Sequence, residues 1–139
     1  MKNNILKKIS ILLFACLAFS FSIKAQYKIG DKLDSGIVYW VDKTGQHGLI
    51  AAPKDCGKMN WADAVKACAA LGNGWHLPTK DELDKLYKKE DKVGGFSGAH
   101  YWASEEYSHG SACYQDFESG IQAANDQKSK HDVRAVKVF

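Results

Sequence analysis

Histidine, cysteine and acidic side chains supply most metal ligands and catalytic bases. Their spacing in this sequence indicates neither a metal site nor a catalytic site. None of the five histidines lies three or four residues from a second metal-ligating side chain on a predicted helix, the spacing that places two ligands on one face. Residues 95–99, GFSGA, resemble a nucleophile elbow but do not have its final glycine or its strand–turn–helix setting. No glycine-rich phosphate-binding loop occurs. We therefore expect no catalytic residues, no metal and no cofactor.

Three cysteines follow residue 25, namely Cys56, Cys68 and Cys113. Disulfides persist outside the cytoplasm, so one bridge and one leftover thiol are expected if the chain is exported. The spacing does not choose among the three pairings. The alternative is a catalytic thiol at Cys56 or Cys113, which would show a depressed thiol pKa beside a histidine in a cleft.

Aromatic and basic side chains offer the binding chemistry that remains, because tyrosine and tryptophan stack on sugar rings and anchor protein interfaces. The four tryptophans are predicted as core residues: Trp40, Trp61, Trp75 and Trp102. A basic group near the end of the chain comprises Lys128, Lys130, His131, Arg134 and Lys137. The predicted ligand-binding residues are Tyr107, Tyr114, Lys128, Lys130 and Arg134.

The composition is that of a globular protein. The chain has 139 residues, 45% of them hydrophobic and 25% charged, and this length suits a single domain. The formal net charge of +3 arises at the start, because the first 25 residues carry four lysines and no acid. The rest of the chain has a net charge of −1. Nucleic-acid binding needs a clustered basic excess, so no nucleic-acid partner is expected.

The first 25 residues have the pattern of an export signal. A basic start precedes an apolar run of 13 residues, ISILLFACLAFSF, which is too short for a stable membrane span. We predict cleavage between Ala25 and Gln26, which leaves residues 26–139 as one domain without membrane contact. Two alternatives are a lipoprotein anchored through Cys16, at the end of the motif LFAC, and an uncleaved N-terminal anchor.

Short strands are predicted in two groups. Residues 36–41 (GIVYWV) and 49–52 have the composition of a hairpin closed by a glycine-rich turn. Later strands are predicted at residues 101–104, 112–117, 121–124 and 133–139. Alternation in the last of these, VRAVKVF, predicts one closing strand beside residues 27–29 or beside the hairpin.

Two helices are predicted between these groups of strands. Asn60 is a plausible cap for a helix whose apolar stripe runs from Trp61 to Leu71. Thr79 and Glu82 form a capping box that starts the second helix. Two helices with strands concentrated late in the chain predict an α+β domain.

Several short motifs follow one another in a fixed order. They are GIVYWVD from Gly36, GQHGLIAAP from Gly45, Trp61, Ala64 and Cys68 on the first helix, GWHLPTKDEL from Gly74, YWASE from Tyr101, Phe117, Gly120, and VRAV from Val133. Together they cover nearly all of residues 36–139 and resemble the Lcl C-terminal domain family of secreted bacterial domains.

This resemblance implies a C-type lectin-like fold. Expected features are two helices, a small and mostly antiparallel sheet, first and last strands that pair, and a long loop region that carries any binding surface. The calcium-binding motifs of the sugar-binding lectins do not occur here, because neither Pro53 nor Pro78 fits them. The family often has a cysteine near Ala135, so Cys68 is without that partner and Cys56 or Cys113 would substitute.

These observations predict a secreted, periplasmic or cell-surface binding or adhesion module. Its expected partner is an extracellular glycan or protein, bound without calcium, and its oligomeric state is left open. Two alternatives are a structural envelope protein with no small ligand, and a cysteine-dependent enzyme. An envelope protein would show no concave apolar pocket.

Overall fold

The end of the chain connects two sheets. A computed structural model describes residues 24–139, and the greater part of the predicted export signal, including Cys16, lies outside the described residues. The elements are β1 (Lys32–Leu33), β2 (Gly36–Val41), β3 (Gly48–Ala51), β4 (Gly57–Met59), α1 (Trp61–Ala70), α2 (Lys80–Tyr87), α3 (Glu90–Val93), β5 (His100–Ser108), β6 (Ser111–Asp116), β7 (Gln122–Asp126), β8 (His131–Val133) and β9 (Val136–Val138).

The first sheet has the order β1-β2-β3-β9 and is antiparallel throughout. Strands β2 and β3 form the predicted hairpin, and β9 pairs with its second strand, with Ala51 opposite Val136. The last strand therefore lies beside the hairpin, and it does not pair with β1. The two ends of the domain are nevertheless close, because the rings of Tyr27 and Phe139 pack edge to face with centroids 5.1 Å apart.

The second sheet has the order β4-β8-β5-β6-β7. All its pairings are antiparallel except the one between β5 and β8, where Tyr101 lies opposite Asp132. Strands β4 and β8 were not predicted, and the strand predicted at residues 101–104 continues to Ser108 as β5. Both missed strands have only three residues, too few for alternation to be visible.

Both predicted helix starts are confirmed. The Asn60 side chain accepts a hydrogen bond from the Asp63 backbone N–H at 2.9 Å. At α2 the Thr79 hydroxyl accepts from the Glu82 N–H at 3.2 Å, and a Glu82 carboxylate oxygen accepts from the Thr79 N–H at 2.9 Å. The short helix α3 was not predicted. With three helices and two mostly antiparallel sheets, the predicted α+β class is confirmed.

The single closing strand predicted at residues 133–139 is wrong. The chain leaves the second sheet after Val133, crosses at Arg134 and Ala135, and enters the first sheet at Val136. All six residues from His131 to Val136 are buried. Because both faces of this segment are covered, its alternation of residue types does not mark an exposed face.

Candidate functional site

A cleft of about 710 Å³ opens where the β1–β2 turn, the end of α1 and strand β9 meet. Its lining residues are Asp34, Ser35, Ala52, Pro53, Leu71, Asn73, Trp75 and Lys137. We call this the Trp75 cleft. A smaller and mostly apolar pocket of about 290 Å³ adjoins it through Ser35 and Pro53.

One wall of the cleft is a tight hairpin turn. Leu33 pairs with Gly36, so Asp34 and Ser35 form a two-residue connection between β1 and β2. Both have positive φ, 47° and 63° respectively, as a type I′ turn requires. Asparagine and glycine suit that conformation best, whereas a serine there is strained. The strained turn presents a carboxylate and a hydroxyl at the edge of the cleft.

The opposite wall is the end of α1. Gly72, Asn73 and Gly74 have φ values of 69°, 51° and 86°, which reverse the chain direction after the helix. Leu71 belongs to the predicted apolar stripe of α1, yet it is 50% exposed and lines the cleft. Asn73 brings an amide to the same wall. Asp34, Ser35 and Asn73 are the three positive-φ residues other than glycine among residues 24–139, and all three line this cleft.

Trp75 lies between these walls and is held from several sides. It is half-buried and packs against a core cluster that contains Trp102. The next residue, His76, exchanges two backbone hydrogen bonds with Val136, at 2.9 and 3.0 Å. A Cβ atom at Gly36 would lie 3.0 Å from the Trp75 ring, so glycine there gives the indole its space. The ring is therefore a fixed surface, and binding to it would cost little conformational entropy.

The charges of the cleft are balanced. Lys137 Nζ lies 3.2 Å from an Asp34 carboxylate oxygen. The remaining lining combines apolar surface from Trp75, Leu71 and Pro53 with the polar side chains already described. A sugar ring also has an apolar face and a rim of hydroxyls, so this lining can stack on the face and hydrogen-bond the rim.

A second concentration of chemistry-bearing side chains lies on the other sheet. The ring centroids of His131 are 4.2 Å from Trp102, 5.2 Å from His100 and 5.0 Å from Tyr114. We call these four residues the imidazole cluster. Burial, then the neighbouring His100 and Lys58, lower the pKa of His131 to about 4. Its imidazole is therefore neutral at neutral pH.

The imidazole cluster borders a cavity of about 460 Å³ with charges of both signs. Lys58 and Lys130 line it together with Asp116 and Glu118. The aromatic groups, however, are engaged with one another and with the protein: His131 Nε2 lies 3.2 Å from the Asn125 amide nitrogen, and the Trp102 indole N–H donates to the Met59 carbonyl at 2.9 Å. This arrangement leaves less ring surface for a ligand than the Trp75 cleft does.

The predicted ligand-binding residues do not form one site. Tyr107 is 74% exposed on β5, and Tyr114 belongs to the imidazole cluster. Lys128 and Lys130 are exposed in the β7–β8 connection. Lys137 of the predicted basic group pairs with Asp34 in the Trp75 cleft. The basic group expected near the end of the chain is thus dispersed.

Arg134 is a core residue and is fully buried, contrary to the expectation that it would join a surface patch. Its Nε donates to Asp55 at 2.6 Å, and its terminal nitrogens donate to the carbonyls of Ala52, Gly94 and Gly95. The guanidinium also lies 4.1 Å from the centroid of the Phe96 ring. Because all these donors are used internally, Arg134 holds the segment after α3 against the core.

All three cysteines named as disulfide partners are free in the structure. Cys68 is fully buried in α1, Cys113 is buried in β6, and Cys56 is half-buried before β4. The groups that lower the pKa of Cys56 are the Cys68 thiol, the Ala135 backbone and Arg134, and no histidine is among them. The feature expected of a catalytic thiol beside a histidine is thus absent at Cys56 within residues 24–139.

The walls of the Trp75 cleft are not predicted from the sequence. Trp75 is predicted as a core residue, and Asp34, Ser35 and Asn73 are not among the predicted binding residues. A signal was present, because turn-forming residues follow one strand and one helix within forty residues of each other. Only the pairing of β9 with β3 brings these turns together.

Among residues 24–139, no three histidine, cysteine, aspartate or glutamate side chains are grouped so that they could hold a metal ion. No helix in the same range has the length and apolar character needed to cross a membrane.

Comparison with known families gives one match over most of the chain. A family model described as the Lcl C-terminal domain matches residues 31–137. No curated protein matches the chain.

Solved structures with a similar arrangement are distant in sequence. Botrocetin is 15% identical, with a TM-score of 0.48 over 76% of this chain and 98% of its own. The snake venom toxin convulxin is 17% identical, with a TM-score of 0.46 over 78% and 97%. A chain from the complex of botrocetin with a mutant von Willebrand factor A1 domain is 14% identical, with a TM-score of 0.46 over 77% and 98%.

Proposed function

The chain belongs to the Lcl C-terminal domain family, and from this membership we propose that it is an extracellular, non-catalytic module that binds a neutral sugar ring in the Trp75 cleft. The C-type lectin-like class supports a binding role. The proposal includes export through residues 1–25, cleavage between Ala25 and Gln26, and one domain over residues 26–139. Anchoring through Cys16 would change its location and not its binding chemistry.

The observation that carries the proposal is the lining of the Trp75 cleft. A rigid, partly exposed indole faces two strained turns whose polar side chains reach the same opening. Backbone strain is stabilised elsewhere in a fold and is concentrated where a protein binds ligands or reacts. The hairpin would form more easily with glycine at Ser35, so a side chain at this position is consistent with a polar role.

The charge balance selects the class of glycan. Asp34 and Lys137 neutralise one another, and the remaining lining side chains are uncharged. A sulfated or carboxylated sugar would bring a negative charge with no free cation to meet it. A neutral pyranose would instead stack on the indole and hydrogen-bond to Ser35, Asn73 and the ion pair. None of these contacts requires calcium.

Glycan-array binding followed by calorimetry tests the proposal, each with calcium and with chelator. We expect a neutral glycan to bind equally in both conditions, and Trp75→Ala to weaken this binding at least about tenfold because the stacking surface is lost. The matched control is Trp40→Ala, since Trp40 is 37% exposed on β2, is not part of the cleft and has the Lys85 amine 4.9 Å from its ring.

Three results would contradict the proposal in different ways. Equal losses in the two tryptophan variants would indicate a general effect on folding. Loss of binding with chelator would indicate calcium-dependent recognition. No binding to any glycan, with binding to an extracellular protein or to nothing, would favour a protein-binding or structural envelope role.

A further inference from the structure

Two of the three cysteines meet in the core, and the third does not. Cys56 and Cys68 pack in the same core cluster, whereas Cys113 belongs to the other cluster. Each of these two thiols also shifts the pKa of the other, lowering it at Cys56 and raising it at Cys68. The sequence leaves three pairings open, and the shared core cluster favours one of them.

The backbone holds both partners in place. The Cys56 N–H donates to the Val133 carbonyl at 2.7 Å, and Ala135 belongs to the same core cluster as both cysteines. Cys68 lies in the last turns of α1 and is fully buried. The pair therefore links α1 to the crossing between β8 and β9.

We propose that Cys56 and Cys68 form the single disulfide of the exported protein, and that Cys113 remains a buried free thiol. The proposal concerns the covalent state of the core and does not depend on the sugar-binding function. Both side chains already pack in one core cluster, so the bridge would form within it.

The two thiols differ in reactivity. The Cys68 thiol and then the Ala135 N–H stabilise a thiolate at Cys56 and lower the pKa of this group to about 7. Interaction with the Cys56 thiol and then burial raise the pKa of Cys68. Cys56 is also the half-buried member that solvent reaches. Cys56 is therefore the first nucleophile and Cys68 the resolving thiol.

Oxidation requires an exogenous disulfide, such as that of a thiol–disulfide oxidoreductase or oxidised glutathione. The Cys56 thiolate attacks one sulfur of that disulfide, forms a mixed disulfide and releases one thiolate. Cys68 then gives its proton to water or to the released thiolate and attacks the Cys56 sulfur, which displaces the second thiolate. Two electrons pass to the exogenous disulfide, and the S–S bond replaces two S–H groups.

The bridge would brace one wall of the Trp75 cleft. Leu71 follows Cys68 by three residues, and its N–H donates to the Cys68 carbonyl at 3.2 Å. The closed loop runs from residue 56 to residue 68 and contains β4 and the start of α1. Closing a loop of this size restricts the unfolded chain and should raise the Tm by about 10 °C.

Export of the full chain to the periplasm of a bacterial host, followed by alkylation and mass spectrometry, tests the pairing. Intact mass defines the N-terminus and therefore shows whether Cys16 is present. We expect one alkylated thiol among residues 26–139 after denaturation without reductant, three after reduction, and a cross-linked peptide pair that contains Cys56 and Cys68. Three free thiols, or a bridge that includes Cys113, would overturn the proposal.

Thermal unfolding with and without reductant provides a second test. Reductant should lower the Tm of the wild type and of Cys113→Ser by about 10 °C. It should not shift Cys56→Ser or Cys68→Ser, since neither can form the bridge. A shift of equal size in Cys56→Ser, or its absence in Cys113→Ser, would contradict the assignment. Each comparison is made within one variant, so differences in folding among the variants do not affect it.

Discussion

The Trp75 cleft and the imidazole cluster contain similar residue types in opposite arrangements. In the imidazole cluster, four rings pack on one another and the Trp102 indole N–H reaches an internal carbonyl. In the Trp75 cleft, the indole faces an opening whose walls are strained turns. Packing in the imidazole cluster stabilises the fold. The Trp75 cleft instead retains backbone strain together with exposed apolar surface at Leu71.

The arrangement of these side chains distinguishes a packed region from a binding site more clearly than their residue types do. Histidine, tyrosine and tryptophan are residue types that often form binding sites, and here they lie beside a charged cavity. Aromatic groups that pack on one another and hydrogen-bond within the protein, however, have little free surface for a ligand. A binding surface presents side chains that the fold leaves available. We therefore expect changes in the imidazole cluster to alter stability and changes in the Trp75 cleft to alter binding.

The largest expected effect is in the imidazole cluster, at Trp102. This side chain is fully buried, and Trp102→Ala would leave a cavity and an unpaired Met59 carbonyl. We expect about 3–5 kcal/mol less free energy of unfolding, measured by urea denaturation. Trp75→Ala should cost about 1–2 kcal/mol, because its ring is already partly exposed.

Binding measurements make this comparison stricter. At a temperature where Trp102→Ala is folded, its glycan affinity should stay within about twofold of the wild type, since Trp102 does not line the cleft. If this variant does not fold, Trp102→Phe serves as the milder change. A loss of affinity in a folded Trp102 variant that matches the loss in Trp75→Ala would indicate that the two regions act as one.

The next largest expected effect is the pH dependence of the unfolding free energy, and it also arises in the imidazole cluster. Burial, His100 and Lys58 lower the pKa of His131 to about 4, whereas Asp132 opposes them. The unfolded chain has a histidine pKa near 6.5, so it binds more protons between these values. Stability from a neutral His131 is therefore complete above about pH 6.5 and is lost as the pH falls towards 4. We expect a loss of about 1–2 kcal/mol, reduced by the solvent that reaches the cluster.

His131→Gln isolates this contribution from other titrations. The variant should show a shallower fall in unfolding free energy between pH 6.5 and 4 than the wild type. The His76–Glu82 pair has the opposite sign for histidine, because its hydrogen bond to Glu82 raises the pKa of His76. Since both proteins contain that pair, it cancels in the difference. Identical slopes in the two proteins would show that His131 is not held neutral by the cluster.

Local signals predicted most of the fold. The β-branched and aromatic composition of residues 36–41 predicted β2 with its observed bounds, and the cap residues Asn60 and Thr79 located the starts of two helices. The path of the last segment was not predictable in this way. Residues 131–136 are buried on all sides because they pass between two sheets, and nothing in a local alternation pattern indicates that change of sheet.

The site was harder to predict because it depends on distant contacts. Ser35 and Asn73 are ordinary turn residues until the pairing of β3 with β9 places their turns around Trp75. Arg134 is an error of the opposite kind, because it was predicted as a ligand-binding residue and is a core residue. A basic residue in a strand near other lysines suggests a surface patch, but its partner, Asp55, lies 79 positions earlier in the chain. Pairings over such separations are not visible in local sequence patterns.

The smallest expected effect is at Ser35, where stability and binding should change in opposite directions. Ser35 has a φ of 63° in the two-residue turn, and Ser35→Gly would create the Asp-Gly sequence that a type I′ turn prefers. We expect about 0.5–1 kcal/mol more unfolding free energy, measured by urea denaturation. The same variant should bind the glycan about three- to tenfold more weakly, because it lacks the Ser35 hydroxyl.

Ser35→Ala is the matched control, because it removes the hydroxyl and keeps a side chain at the strained φ. It should weaken binding as much as Ser35→Gly without the gain in stability. If both variants bind like the wild type, Ser35 is only a turn residue and the strain at this wall has no part in recognition. The opposite result is that both variants bind less well and only Ser35→Gly is more stable. In that case the strained residue is retained because its hydroxyl binds the ligand. Strain retained for binding is the property that distinguishes the Trp75 cleft from the imidazole cluster.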